Sequence, residues 1–155
     1  MRQKKIVMAF GTFDFLHAGH LYYLKKAKSF GDKLIVVVSR DKNAKRVKGT
    51  PAIHDERERL KLVKALRFVD LAVLGKRGKN FFEVLIKYKP DIIALGYDQE
   101  VDTHELEDFI KKHKLKSKIV KIKAYKPHLF KSSKIKKALY ENTNSFILQL
   151  GKDIL

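Results

Sequence analysis

The sequence predicts a single α/β domain, a doubly wound parallel sheet with helices on both faces. Three observations carry this. Unbroken apolar runs, such as Ile6-Val7-Met8-Ala9-Phe10 and Leu34-Ile35-Val36-Val37-Val38, are of the kind found in strands buried on both sides. Strand and helix signals alternate along the chain, which implies right-handed βαβ units. The length of 155 residues fits one domain better than two.

The elements follow in order. Lys4 to Phe10 reads as a strand ended by Gly11-Thr12. The three-to-four spacing of Leu21, Leu24, Ala27 and Lys28 predicts a helix from about His17, stopped at Gly31-Asp32. Lys33 to Ser39 is the second strand. The polar stretch from Arg40 to Ile53, broken by Gly49-Thr50-Pro51, reads as a loop. Asp55 to Phe68 is a charged amphipathic helix with Leu60, Val63, Ala65 and Leu66 inward. Leu71 to Leu74 is a short strand closed by Gly75, and Asn80 to Tyr88 a helix ended by Pro90. Asp91 to Leu95 is a strand ended by Gly96, Glu105 to Lys112 a helix, and Lys118 to Ile122 a strand. A last helix, Ser132 to Tyr140, closes a core of about 4–140. The tail, 141–155, carries Phe146, Ile147, Leu148, Leu150, Ile154 and Leu155, suited to a subunit contact or the wall of a pocket.

Composition narrows the function. The 45% hydrophobic content supplies a core, so the net charge of +18 does not signal disorder. That charge attracts polyanions, either nucleic acid or phosphate-rich small molecules. The basic residues are mostly Lys, scattered, and without zinc-finger, basic-zipper or RNP spacing, which disfavours nucleic acid. Absence of cysteine excludes disulfides, iron–sulfur clusters and a thiol nucleophile. No apolar run reaches the roughly 18 residues of a membrane span. Ile6 to Phe10 is too short for a signal-peptide core, so the cytoplasm is the expected location.

Ligands of open parallel sheets bind beyond the carboxyl ends of the strands. The first such end is Gly11-Thr12-Phe13-Asp14-Phe15-Leu16-His17-Ala18-Gly19-His20. Gly11 permits a tight turn and close approach of backbone to a ligand. The helix N-terminus after it favours phosphate. His17 and His20 share one face of the first turn, and Gly19 leaves room there for a phosphate or a ring. Zinc needs three or four ligands, and no third has clear spacing. The patterns GxxxxGK[ST] and GxGxxG are absent. Gly96-Tyr97-Asp98-Gln99 stands at a later strand end, where Asp98 can meet a ribose or base edge. Ser132 or Ser133 suits an N-cap, and with Lys134 forms an anion site.

The run Gly11-Thr12-Phe13-Asp14-x-x-His17-x-Gly19-His20 resembles the signature of the cytidylyltransferase-like nucleotidyltransferases, whose hallmark is a His-x-Gly-His tetrad. Ser132-Ser133-Lys134-Ile135 resembles that family's Ser/Thr-Ser/Thr-Lys-Ile motif, which closes on the β- and γ-phosphates. The resemblance spans about Ile6 to Ala138 and implies a Rossmann-like fold. It also implies attack of a phosphate monoester on the α-phosphorus of a nucleoside triphosphate, with loss of pyrophosphate. His17, His20, Lys48 and Arg59 take the catalytic places, with Lys45, Arg46 and Arg57 as competitors for the basic ones. Gly11, Thr12, Phe13, Asp14, Gly19, Gly96, Asp98, Ser132, Ser133 and Lys134 take nucleotide-binding places alongside the histidines. Tyr97 and Gln99, the acceptor-binding places, resemble the archaeal type of FAD synthase more than glycerol-3-phosphate cytidylyltransferase. The resemblance thus points to ATP (or CTP) with FMN or another phosphate monoester. It adds Mg²⁺ held mostly through phosphates, with Asp14 as the nearest protein group, and a homodimer. CTP with glycerol 3-phosphate is the alternative, and a non-enzymatic nucleic-acid-binding protein a third reading.

Overall fold

Aliphatic and β-branched runs this short bury both faces only inside a sheet covered on each side, and that is where they lie. The computed structural model describes residues 3–78, 82–99, 101–126 and 131–153, with side chains to 143. The elements are β1 (Ile6–Gly11), α1 (Ala18–Lys28), β2 (Lys33–Val38), α2 (Asp41–Lys48), α3 (Glu56–Lys64) and β3 (Leu71–Leu74). They continue as α4 (Glu83–Tyr88), β4 (Ile92–Gly96), α5 (Thr103–Lys112), β5 (Lys118–Ile122) and α6 (Ser132–Asp153). All strand pairs are parallel, in the order β3-β2-β1-β4-β5.

Side chains alternate across the sheet with period two. Val7, Ala9, Leu34, Val36 and Val38 pack with Leu24 and Ala27 of α1 and Val63 of α3. Met8, Ile35, Val37, Ile93 and Leu95 pack on the other face with Leu85 of α4 and with Leu106 and Ile110 of α5. The sheet is therefore doubly wound as expected, and the winding reverses between β1 and β4. That crevice is where such folds bind ligands. At the opposite, amino-terminal edge, Asp32, Asp91 and Asp70 accept from the backbone N–H groups of Lys5, Ile6 and Leu34. This edge is given to holding strand ends.

The structure corrects four boundaries. Residues 41–48 form a helix, not loop. Only Ala44 of that helix is buried, so no apolar period announces it; the left-handed Gly49 (φ 75°) ends it. Glu56 replaces the missing side-chain cap by accepting from the Asp41 N–H, while Asp41 accepts from the Glu56 N–H. The next helix stops at Lys64, with Asp55 as its N-cap and Glu58 completing a capping box. Leu66, Phe68 and Val69 still reach the core, but from the turn after it, and Ala65 is exposed. α5 begins two residues early, because Asp102 caps it by accepting from His104 and Glu105. α6 does not stop at Tyr140 but continues to Asp153. The start of the predicted helix at Asn80 lies outside the described residues, as do the side chains of the apolar tail.

Leu24 is fully buried where α1 meets the sheet. Leu24→Ala is expected to cost about 2–5 kcal/mol through lost burial and the cavity left behind. Urea unfolding with an unchanged m-value checks it.

Candidate active site

The first strand ends in a loop that is fixed from several sides. Phe13 and Phe15 both take left-handed backbone (φ 56° and 53°), which is costly for aromatic residues. Phe13 is held there by burial, with 2% of it exposed. Its ring lies where a side chain on Gly11 would go: a Cβ built there falls 2.6 Å from Cζ of Phe13. Gly11 is thus required by its neighbour's ring.

Asp14 is buried at the base of this loop. Its carboxylate accepts from the Ile53 and His54 N–H groups (2.9 and 3.1 Å) and pairs with the Lys136 ammonium at 2.6 Å. Burial alone raises its pKa. The Lys136 bond and the two backbone bonds outweigh that and lower it to about 2. The Asp14 carbonyl accepts from the Ser132 hydroxyl at 2.6 Å. One residue therefore ties the first loop to the 53–54 turn and to α6.

Arg59 of α3 has no exposed surface. Its guanidinium donates to the carbonyls of His54, Thr12 and Ser39 (3.0, 2.6 and 3.0 Å) and to the Asp41 carboxylate at 2.6 Å. It joins the ends of β1 and β2 to the starts of α2 and α3.

Above these anchors lies the histidine pair. His17 caps α1, its Nδ1 accepting from the Gly19 N–H at 3.1 Å. That bond leaves the proton of the neutral ring on Nε2. His17 stacks on His20 with centroids 3.8 Å apart and 22° between planes, and Phe13 meets His20 edge-on at 5.4 Å. Burial, then His17, then Lys48 push the His20 pKa down to about 3. Asp14, then the Phe15 carbonyl, act the other way and are outweighed. Burial and then Lys48 lower His17 as well. Both rings are neutral at pH 7. Nδ1 of His20 is buried and, among the described residues, has no hydrogen-bond partner.

The pair opens into a cleft of about 1150 Å³ across the carboxyl ends of the strands. Seven Lys and Arg residues line it against three acidic ones. Lys48 reaches it from the end of α2; crowding by protein atoms, then Lys136, lower its pKa. The turn after β4 is braced by Gln99, whose amide accepts from the Gly96 N–H and donates to the Phe10 carbonyl. Asp98 lies 3.8 Å from the Lys131 ammonium, which stands 6.0 Å from the Tyr97 ring.

Known proteins are similar to this chain. Residues 8–138 match the family model described as cytidylyltransferase-like. The chain belongs to the cytidylyltransferase-like family. A FAD synthase of Thermoplasma volcanium is 47% identical over 135 residues, covering 87% of this chain and 94% of that one. A FAD synthase of Methanosarcina mazei is 50% identical over 116 residues, 75% of either chain. A crystal structure described as a lipopolysaccharide core biosynthesis protein, also from Thermoplasma volcanium, superposes with a TM-score of 0.75 at 48% identity. It covers 79% of this chain and 99% of its own. The family member described here is therefore an enzyme, and the open matter is what each residue does.

Of the residues that the sequence singles out, Gly11, Thr12, Phe13, His17, Gly19, His20 and Lys48 line the cleft. So do Gly96, Tyr97, Asp98, Gln99, Ser132 and Ser133. Three do not. Arg59 lies beneath the loops, its guanidinium donating to three carbonyls and Asp41. Asp14 is buried below the cleft. Lys134 is exposed on α6 outside the cleft wall. Phe13 reaches the cleft only as the packing beneath His20. Gln99 braces the turn with its amide. Ser132 does not cap α6; it bonds to the Asp14 carbonyl from the first turn. Among the competitors Arg46 lines the cleft, while Lys45 and Arg57 do not. Sequence reasoning missed Lys136, although it stands one helical turn after Ser132 and Ser133, on their face.

These residues do not form a metal cage. Among the described residues no three His, Asp or Glu gather for a cation. Asp14 already answers to two N–H groups and an ammonium.

Two outcomes follow. Arg59→Leu leaves three carbonyls without their donor and is expected to destabilise the fold by roughly 3 kcal/mol or more. Loss of activity at unchanged stability in denaturant titration would instead make Arg59 a ligand contact. Second, between pH 6.5 and about 3 the unfolded His20 binds a proton that the folded one refuses, so stability falls with pH across that window. Asp14, held at about 2 against 3.8 unfolded, adds a further loss between those two values. Thermal melts of the wild type and His20→Asn should diverge above the window and converge within it.

Proposed function

We propose that the protein is a FAD synthase that transfers AMP from ATP to the phosphate of FMN, releasing pyrophosphate. The stacked His17–His20 pair at the start of α1, opening on a basic cleft, carries the reading. The FAD synthases at 47% and 50% identity supply the substrates. Tyr97 and Gln99, which resemble the archaeal enzymes, agree.

The acceptor phosphate is already ionised, so no general base is needed, and none stands ready. Catalysis rests on positioning and on charge. Nε2 of His17 and of His20 donate to the α-phosphate and the bridging oxygen as charge builds there. Being neutral, both rings meet no repulsion from Lys48. Lys48 and Lys136 set positive charge against the triphosphate and the departing pyrophosphate. Ser133 and the first N–H groups of α6 offer donors to its far end. Gly11 and Thr12 shape the floor, while Gly19, Gly96 and Asp98 leave room for and bound the nucleotide. Tyr97 stands at the rim. The same resemblance carries the expectations of Mg²⁺ on the nucleotide, a homodimer and a cytoplasmic enzyme. Among the described residues no helix is long and apolar enough to cross a membrane.

The test pairs ATP or CTP with FMN or glycerol 3-phosphate in Mg²⁺ and separates the products by chromatography. FAD with pyrophosphate from ATP and FMN alone is expected. CDP-glycerol in place of FAD overturns the assignment of substrates. His20→Ala is expected to lower kcat about 10²–10³-fold with little change in ATP affinity, the mark of a donor used mainly in the transition state. An unchanged kcat removes His20 from the chemistry.

A further inference from the structure

We infer that Tyr22, backed by Tyr125, is the platform on which the planar heteroaromatic ring of one substrate stacks. This rests on the transferase reading above. Sheet order divides the cleft at the histidines. On the β2 side the wall is α2, polar and basic, with Arg46 and Lys48. On the β4 and β5 side it is aromatic, with Tyr22, Tyr97 and Tyr125.

Tyr22 lies three residues after Gly19 on α1, so the two share a face. Gly19 has no side chain to block the way from the histidines to that ring. Tyr22 stacks on Tyr125 with centroids 5.0 Å apart and 20° between planes. Even so, 36% of Tyr22 stays exposed, and it lines the cleft. The stack fixes the ring before any ligand arrives, which lowers the ordering cost of binding. Tyr125 is further flanked by the Lys126 ammonium, 5.5 Å from its centroid. It serves as backing, and Tyr22 as the contact.

Chemistry limits what this shelf takes. A rigid half-exposed aromatic suits a flat ring, and Lys121 and Lys123, which line the same cleft, suit the phosphorylated chain such a ring carries. The cleft of 1150 Å³ exceeds the roughly 300–1,000 Å³ of single-ligand pockets, as a two-substrate site requires. Both substrates are a flat heteroaromatic ring on a phosphorylated chain, and they meet at the α-phosphorus. One shelf therefore takes one ring, adenine or isoalloxazine.

Calorimetric titration of the full chain with ATP alone and with FMN alone, in Mg²⁺ and without turnover, tells which. Tyr22→Ala is expected to weaken one ligand about tenfold and leave the other within about twofold. Tyr22→Phe should bind both as the wild type does, and Tyr125→Ala should weaken the same ligand by less. A loss confined to FMN assigns the shelf to the flavin; a loss confined to ATP assigns it to adenine. No loss, or an equal loss for both, overturns the platform. A ligand-selective loss in Tyr22→Ala, with a wild type that makes no FAD, keeps the shelf and sinks the FAD synthase reading, so the two fail separately.

Discussion

A single guanidinium without solvent access holds the mouth of this protein together. Arg59 reaches the backbone after β1, after β2 and just before α3, and the Asp41 side chain at the start of α2. Parallel strands stop at one edge of a sheet with carbonyls pointing outward, and something must answer them. In this chain a buried cation does so from below. Its planar fork meets carbonyls lying in different directions, a task that a lysine ammonium with one point of charge performs poorly. Asp41 balances the charge from the rim, where water still reaches it. The position of Lys48, seven residues further along α2, follows from that anchor.

Charge is distributed by depth. Asp14 and Arg59, the buried ions, face protein partners and keep the loops in place. The lysines that line the cleft face a polyanion, and one of them, Lys136, also holds Asp14 from above. Between the two layers sit two imidazoles that stay neutral because burial and the surrounding cations disfavour their protonation. Neutrality leaves each a hydrogen-bond donor without adding repulsion to a site that is already positive. A bound polyphosphate reverses that balance, because negative charge beside a ring favours its protonated form.

Much of this was legible in the residues. The apolar runs located all five strands within a residue or two, because burial on both faces leaves no alternation to misread. α2 was hidden, since a helix with one buried alanine has no periodicity. The tetrad located the histidines, and their stacking follows from the three-residue spacing. The basic residues were harder. In a chain with 35 of them, spacing could not separate Arg59, which is fully buried, from Arg57, which is exposed. What distinguishes Arg59 is the set of carbonyls brought around it by strands distant in sequence. Lys136 escaped for the same reason: its partner Asp14 lies more than a hundred residues away.

Gly11 and Phe13 have a consequence for how such sequences drift. The ring of Phe13 occupies the volume that any larger residue at 11 would need, so the two sites behave as one steric unit. Neither can change alone without forcing the loop beneath His20 to shift. A methyl group at 11 becomes tolerable only after the ring at 13 has shrunk, and the smaller ring leaves His20 unsupported. The pair is thereby locked against stepwise substitution.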